Sequence, residues 1–252
     1  MRNMIENNVI AIVQARTGSS RLPNKVIKKI LDKPMLILML ERLKEVKEID
    51  KIIVATTELK EDDIIEKIVK SIQIEVFRGS ELDCLDRYYK AAKKFNGEII
   101  LKITADCPLL DPKIVKKIVK YFLVNKKKFD YVSNVRPPTF PDGMDVEIFT
   151  FESLKKAWKD SDKPIEREHT TTYIHSKPEI FRIGNIVNKS DQFSSFRLTV
   201  DYEEDFSLVK KIYEELYNKD KIFSLKKIIN LLENNPEIKK INSHLICKNA
   251  VH

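Results

Sequence analysis

Val9-Ile10-Ala11-Ile12-Val13 is an unbroken apolar run, β-branched everywhere except Ala11. Such a run suits a strand buried on both faces, as in the middle of a parallel sheet. Directly after it comes Gln14-Ala15-Arg16-Thr17-Gly18-Ser19-Ser20-Arg21-Leu22-Pro23-Asn24-Lys25, a polar loop carrying three cations. A helix is expected from about Pro34, whose fixed φ suits a first helical turn. The alternation then repeats. Strand patterns at residues 51–56, 74–77 and 98–104 are interleaved with helical patterns at residues 62–69, 85–95 and 112–124. Strand, helix, strand with short joins predicts an α/β fold, doubly wound on a mostly parallel sheet with right-handed crossovers. In such sheets ligands sit beyond the carboxyl ends of the strands. The loop at residues 14–25 and Asp106 fall there.

The pattern loosens after Tyr131. Pro141-Asp142-Gly143 is a turn signal leading into a strand-like run through Asp145 and Glu147, which alternation would put on one face. Residues 166–174 read as a helix, residues 180–187 and 196–200 as strands, and residues 203–217 and 225–232 as helices. Residues 246–252 read as a poorly ordered tail.

A chain of 252 residues can bury about 70–75% of its unfolded surface in one unit. With only 5 Gly and 10 Pro there is little material for flexible linkers, so one domain over residues 1–252 is expected. The net charge of +8 is spread through helical patterns such as Glu41-Arg42-Leu43-Lys44-Glu45-Val46-Lys47, which read as a solvated face. No aromatic-interleaved basic stripe marks a nucleic-acid partner. Cys84, Cys107 and Cys247 are odd in number and far apart, against a disulfide framework or a structural zinc site. Cys84 and Cys107 read as packing residues, and Trp158 as core or interface. The first apolar run ends in Gln14 and Arg16 rather than a cleavage site, and no run reaches the ~20 residues needed to span a bilayer. A cytoplasmic protein without a membrane partner is expected.

The loop chemistry suits a polyphosphate. Arg16 and Arg21 offer bidentate forks and Lys25 a point charge, while a left-handed Gly18 beside Ser19 would let successive N–H groups form an anion nest. Neither a G-x-x-x-x-G-K-[ST] loop nor a G-x-G-x-x-G loop is present. By charge alone, a solvated basic loop is an equal reading. Asp106, ahead of Cys107-Pro108, can likewise simply cap its own turn.

Ala15 to Lys25, reading A-R-x-G-S-x-R-L-P-x-K in outline, resembles the nucleotide loop of the cytidylyltransferases, and the match is nearest to the spore coat polysaccharide biosynthesis protein SpsF group. That family is related to the enzymes that activate 3-deoxy-manno-octulosonate and sialic acids with CMP. Further matching stretches follow in the same order over residues 9–209. They are Arg78-Gly79-Ser80-Glu81 with Leu85-Asp86-Arg87, Thr104 to Pro112, Pro141 to Glu147, Arg167-Glu168-His169-Thr170, and Leu198-Thr199-Val200-Asp201 with Glu204-Asp205. Asn24 stands where the family commonly has glycine, and asparagine tolerates the left-handed region better than most residues.

The resemblance implies a Rossmann-like nucleotidyltransferase fold and transfer of CMP from CTP to a sugar-type acceptor, with release of pyrophosphate. It implies Mg2+ on Asp106 and Asp201, two hard carboxylates completed by phosphate oxygens and water. Arg16, Lys25, Asp106 and Asp201 would be catalytic. Gln14, Ala15, Arg16, Gly18, Ser19, Arg21, Lys25, Arg78, Ser80, Thr104, Ala105 and Asp106 would bind the nucleotide. Asp142, Asp145, Glu147, Arg167, Glu168 and His169 would line the acceptor pocket. Residues 135–187 resemble the region that pairs subunits in the family, so a homodimer is expected. Two other readings stay open. A nucleotide-sugar glycosyltransferase would share the α/β half, although Asp106-Cys107-Pro108 lacks its usual second carboxylate. A non-catalytic nucleotide-binding protein would have less reason to keep both aspartates and all three loop cations.

Overall fold

The computed structural model describes residues 8–188, 194–218 and 220–245; the expected tail and Cys247 lie outside these residues. The first half runs β1 (Val9–Gln14), a small antiparallel pair β2 (Lys29–Ile30) and β3 (Lys33–Pro34), then α1 (Met35–Leu43), β4 (Lys51–Thr57) and α2 (Asp63–Lys70). It continues through β5 (Glu75–Gly79), α3 (Cys84–Lys94), β6 (Ile99–Thr104) and α4 (Pro112–Val124). The second half contains β7 (Tyr131–Ser133), β8 (Glu147–Thr150), α5 (Phe151–Asp160), α6 (Pro164–Glu168), α7 (Thr172–His175) and β9 (Ile183–Asn185). It closes with α8 (Glu203–Leu216), α9 (Leu225–Asn234) and α10 (Pro236–Lys239).

The main sheet has the order β5-β4-β1-β6-β8-β7-β9. β5, β4, β1 and β6 are mutually parallel, β8 runs antiparallel to both β6 and β7, and β9 is parallel to β7. β1 is buried on both faces as its composition requires. Val9, Ala11 and Val13 enter the layer that includes α1, α2, α4 and α8, whereas Ile10 and Ile12 enter the layer of α3, α5 and α7. The chain steps from β1 to β4 on one side and returns through β5 to β6 on the other. The strand order therefore reverses between β1 and β6, and the crevice at that switch point is where a doubly wound sheet takes its ligand. Gln14 and Thr104 are register partners at its floor.

Three elements expected in the second half differ in the structure. Residues 166–174 are not one helix: α6 ends at Glu168, His169 is extended at φ −108° and ψ 94°, and α7 begins at Thr172. The interruption turns residues 168–170 toward the crevice. Residues 180–187 contribute only the three-residue β9. Residues 196–200 are extended but join no strand of the main sheet. They lie along Asp142 through Asp142 N–H to Phe196 O at 3.0 Å and Leu198 N–H to Asp142 O at 2.8 Å. The approach is close enough that a Cβ on Gly143, whose φ is +100°, would lie 2.7 Å from the Leu198 carbonyl carbon, so only glycine fits there.

Candidate active site

The crevice has a volume of about 320 Å³, in the range of small-ligand sites. Its lining includes Gln14, Ala15, Arg16, Ser19, Arg21, Lys25, Thr104, Ala105, Asp106, Glu168, His169 and Asp201 from the residues expected in the site. Gly18, Arg78, Ser80, Asp142, Asp145, Glu147 and Arg167 lie outside that lining.

The loop after β1 is anchored at its start by Asp62, a buried carboxylate. Its Oδ1 accepts from Thr17 N–H at 2.8 Å and from Thr17 Oγ1 at 2.7 Å, and its Oδ2 accepts from the Thr57 hydroxyl. Burial alone would raise the Asp62 pKa, but these donors hold it below the ordinary carboxylate value. The left-handed residue of the loop is Asn24, at φ 60° and ψ 18°. Gly18 lies outside the left-handed region, so the turn expected at Gly18 falls instead at Asn24. Asn24 leads directly into the short 3-10 turn that carries Lys25.

Lys25 brings the two metal-binding candidates together. Its Nζ lies 3.3 Å from Asp106 Oδ2 and 3.0 Å from Asp201 Oδ1, and it donates to Val200 O at 2.7 Å. Arg21 adds a second cation 2.8 Å from Asp201 Oδ1. Asp106 sits just past the end of β6, and its carbonyl accepts from Val200 N–H at 2.8 Å. That bond delivers Asp201 to Asp106, although Val200 and Asp106 lie 94 positions apart in the sequence. The Asp106 side chain is 21% exposed and opens to the crevice, whereas Asp201 is 2% exposed.

Behind Asp201 lies Arg197, which the sequence reading did not single out. Its guanidinium, 4% exposed, meets Asp142 at 3.0 Å, Asp201 at 3.2 Å and Asp205 at 2.9 Å. Burial pulls its pKa down, but hydrogen bonding to Asp205 and the charges of Asp205 and Asp142 more than offset this and raise it. Asp205 Oδ2 also accepts from Asp201 N–H at 3.0 Å and Tyr202 N–H at 3.1 Å, so Asp201 is fixed through backbone and side chain together. Asp142 thus serves this buried cluster and not the crevice wall.

Magnesium fits the donor set in a restricted way. Among the described residues no three acidic, histidine or cysteine side chains gather into a cage. A cation bound with substrate phosphates needs only one or two carboxylates, and Asp106 with Asp201 offers two. Both carboxylates already attract cations, Lys25 between them and Arg21 on Asp201, so the pair suits positive charge.

The crevice lining also includes Lys102, which the sequence reading missed, and Arg87, which it named only within the matching stretch Leu85-Asp86-Arg87. Lys102 pairs with Glu147, its register partner across β6 and β8. Burial alone would raise the Glu147 pKa, but the charge and hydrogen bond of Lys102, with bonds from Thr171 and Tyr131, lower it to about 2. Glu147 thereby sits behind Lys102. Arg87 is 1% exposed; it donates to Ser80 O and its Nε is buried without a hydrogen-bond partner. An alternating pattern could have flagged Lys102, a lone charge inside the apolar β6 run, whereas Arg87 resembles any helical arginine.

The other expected contacts serve the walls. Arg78 engages Asp63, Glu66 at 3.1 Å, Thr57 O at 2.9 Å and Leu59 O at 2.7 Å. Ser80 Oγ accepts from Asp83 N–H at 3.1 Å, and Arg167 is held by Asp83. Cys84 and Cys107 are both buried, and burial pushes the Cys107 thiol well above its ordinary pKa, so it stays an unreactive packing group. No helix among the described residues is long and apolar enough to cross a membrane.

Residues 10–244 match the family model for cytidylyltransferases. An uncharacterized protein of Methanocaldococcus jannaschii is 42% identical over 94% of this chain and 95% of its own length. The Bacillus subtilis spore coat polysaccharide biosynthesis protein SpsF is 27% identical over 92% of this chain and 96% of its own. A solved cytidylyltransferase from Leptospira borgpetersenii is 39% identical, with a TM-score of 0.88 over 92% of this chain and 97% of that one. Matched in sequence and in fold over nearly its whole length, the chain belongs to the cytidylyltransferase family.

Proposed function

We propose that the chain transfers CMP from CTP to an oxygen of a sugar-type acceptor, releasing pyrophosphate, in the making of a surface glycan. The observation that carries this reading is the convergence of Lys25 and Arg21 on Asp106 and Asp201 at one end of a nucleotide-sized crevice. The spore coat role in the name of the SpsF relative supports the glycan assignment.

In this reading the acceptor oxygen bonds to the α-phosphorus of CTP and the bond to the β-phosphate oxygen breaks. Such transfers ask little covalent chemistry of the protein, so positioning and charge stabilisation dominate. Arg16, Arg21 and Lys25 hold the triphosphate and then the departing pyrophosphate; Arg21 and Lys25 exchange carboxylate partners for phosphate oxygens as CTP enters. Asp106 and Asp201 would hold Mg2+, which when bound offsets the charge on the phosphates. Glu168 and His169 also line the crevice, where they can orient the acceptor.

Asp106→Asn keeps the size of the side chain and removes its charge. Turnover, read as pyrophosphate released from CTP across a panel of sugar acids and sugar phosphates, is expected to fall ~10²–10³-fold, the usual cost of one preorganised electrostatic element. Release at the parental rate would exclude the assignment of Asp106.

A further inference from the structure

Two segments outside the strands help to wall the crevice, and both hang from the same sheet. One is the loop between β5 and α3, which contributes Glu81 and Leu82. The other is the break between α6 and α7, which contributes Glu168, His169 and Thr170. Arg167, the residue before that break, reaches across to Asp83 at the end of the first wall. Its Nε lies 2.9 Å from Asp83 Oδ2, its Nη2 bonds the same oxygen, and its Nη1 donates to Trp158 O at 2.7 Å. Asp83 is itself well fixed, since Oδ1 caps α3 by accepting from Asp86 N–H at 2.8 Å. Trp158 completes the circuit through Nε1 to Asp86 Oδ1 at 2.8 Å, with its ring stacked on Tyr89 at 4.2 Å.

We propose that Arg167 and Asp83 form a clasp that sets the spacing between the two walls, so that both are positioning residues for the crevice, with its bound nucleotide, rather than groups that touch a ligand. The inference rests on the reading of the crevice as a CTP site. Its physical basis is the fork geometry. A guanidinium spending two N–H groups on one carboxylate and a third on a carbonyl has little left for a ligand, and its rigid plane fixes distance and angle together. Arg167 is the last residue before Glu168 in α6, so fixing it aims residues 168–170.

Simple electrostatics and the clasp predict opposite outcomes. CTP is a polyanion, so removing the Asp83 charge should tighten binding and removing the Arg167 charge should weaken it, if charge were all. The clasp requires both changes to weaken it. Asp83→Asn is the suitable partner variant, because asparagine keeps an oxygen for the α3 cap. Calorimetry with CTP and Mg2+ is expected to show roughly 5–10-fold weaker binding in Asp83→Asn and in Arg167→Ala, a coupling of ordinary size. The double variant should be no worse than either single one, and Arg167→Lys, able to form one bond of the fork, should recover part of the loss. Hydrogen exchange should quicken at residues 80–83 and 165–171 in both single variants while thermal midpoints stay near the parent.

Tighter binding by Asp83→Asn, or parental binding by Asp83→Asn beside weakened binding by Arg167→Ala, would overturn the clasp and return Arg167 to direct contact. Equal loss of stability and binding in every variant would overturn it in favour of a purely structural pair. If the parental protein binds no CTP, the functional reading fails instead. The exchange measurement then decides the clasp alone: residues 165–171 unaffected by Asp83→Asn would refute it.

Discussion

Arg197→Met tests the buried charge cluster behind the site. The substitution keeps most of the side-chain volume and removes the guanidinium from between Asp142, Asp201 and Asp205, which are 2%, 2% and 0% exposed. Removing one partner of a buried pair typically costs 3–5 kcal/mol, because the remaining charge is left desolvated. Asp201 keeps Lys25 and Arg21 as donors, and Asp205 keeps Asn242 and two backbone N–H groups. That places the expected loss at about 4 kcal/mol, near the middle of the range rather than a multiple of it. For a chain of this size the thermal midpoint should fall by roughly 8–16 °C. Urea unfolding at pH 7 followed by circular dichroism reads the free energy, and Asp205→Asn added to Arg197→Met should restore stability even though Asp205→Asn alone destabilises the parent. That sign reversal is the signature of an unpaired buried charge. A loss below about 1 kcal/mol, or simple additivity of the two changes, would refute the account of the cluster as a buried ionic hub.

Asp62→Ala strips acceptors from the Thr17 N–H and the Thr17 and Thr57 hydroxyls. Leaving such donors unmet costs about 1–3 kcal/mol, so CTP affinity by calorimetry should drop around tenfold as the loop loosens; unchanged affinity would show that the anchor is dispensable. His175 has its pKa lowered to about 4, first by burial and then by the Arg136 charge. The folded state therefore keeps it neutral while the unfolded chain takes up a proton below about 6.5, so stability is lost as pH falls from there toward 4. His175→Gln should flatten that slope, by at most about 2 kcal/mol between pH 6.5 and 5 in urea titrations; an equal slope in the variant would exclude the mechanism.

The doubly wound sheet was legible because β1, β4 and β6 are each apolar on both faces and are separated by helical patterns, an apolar stripe in α2 and a nearly all-buried run in α1, properties local to each segment. The loop cations and both aspartates were legible as well, through motif order. Tertiary structure decided which expected residues reach the crevice. Asp142, Glu147 and Arg167 have the composition of a binding pocket, yet they meet Arg197, Lys102 and Asp83, partners far away in sequence. A charged side chain reads the same in sequence whether its counter-ion is a ligand or another residue. The difference appears only when the chain folds back and a partner arrives within hydrogen-bond distance.

By itself the sequence determined where the four parallel strands lie, that the first is buried on both sides, and that a cationic loop and Asp106 follow strand ends, because apolar periodicity and turn chemistry act over a few residues. Only the tertiary structure decided that Asp201 joins Asp106 on one lysine, since that meeting depends on a segment whose strand pattern does not say what it pairs with, and which is held outside the main sheet by hydrogen bonds to Asp142 and to the Asp106 carbonyl.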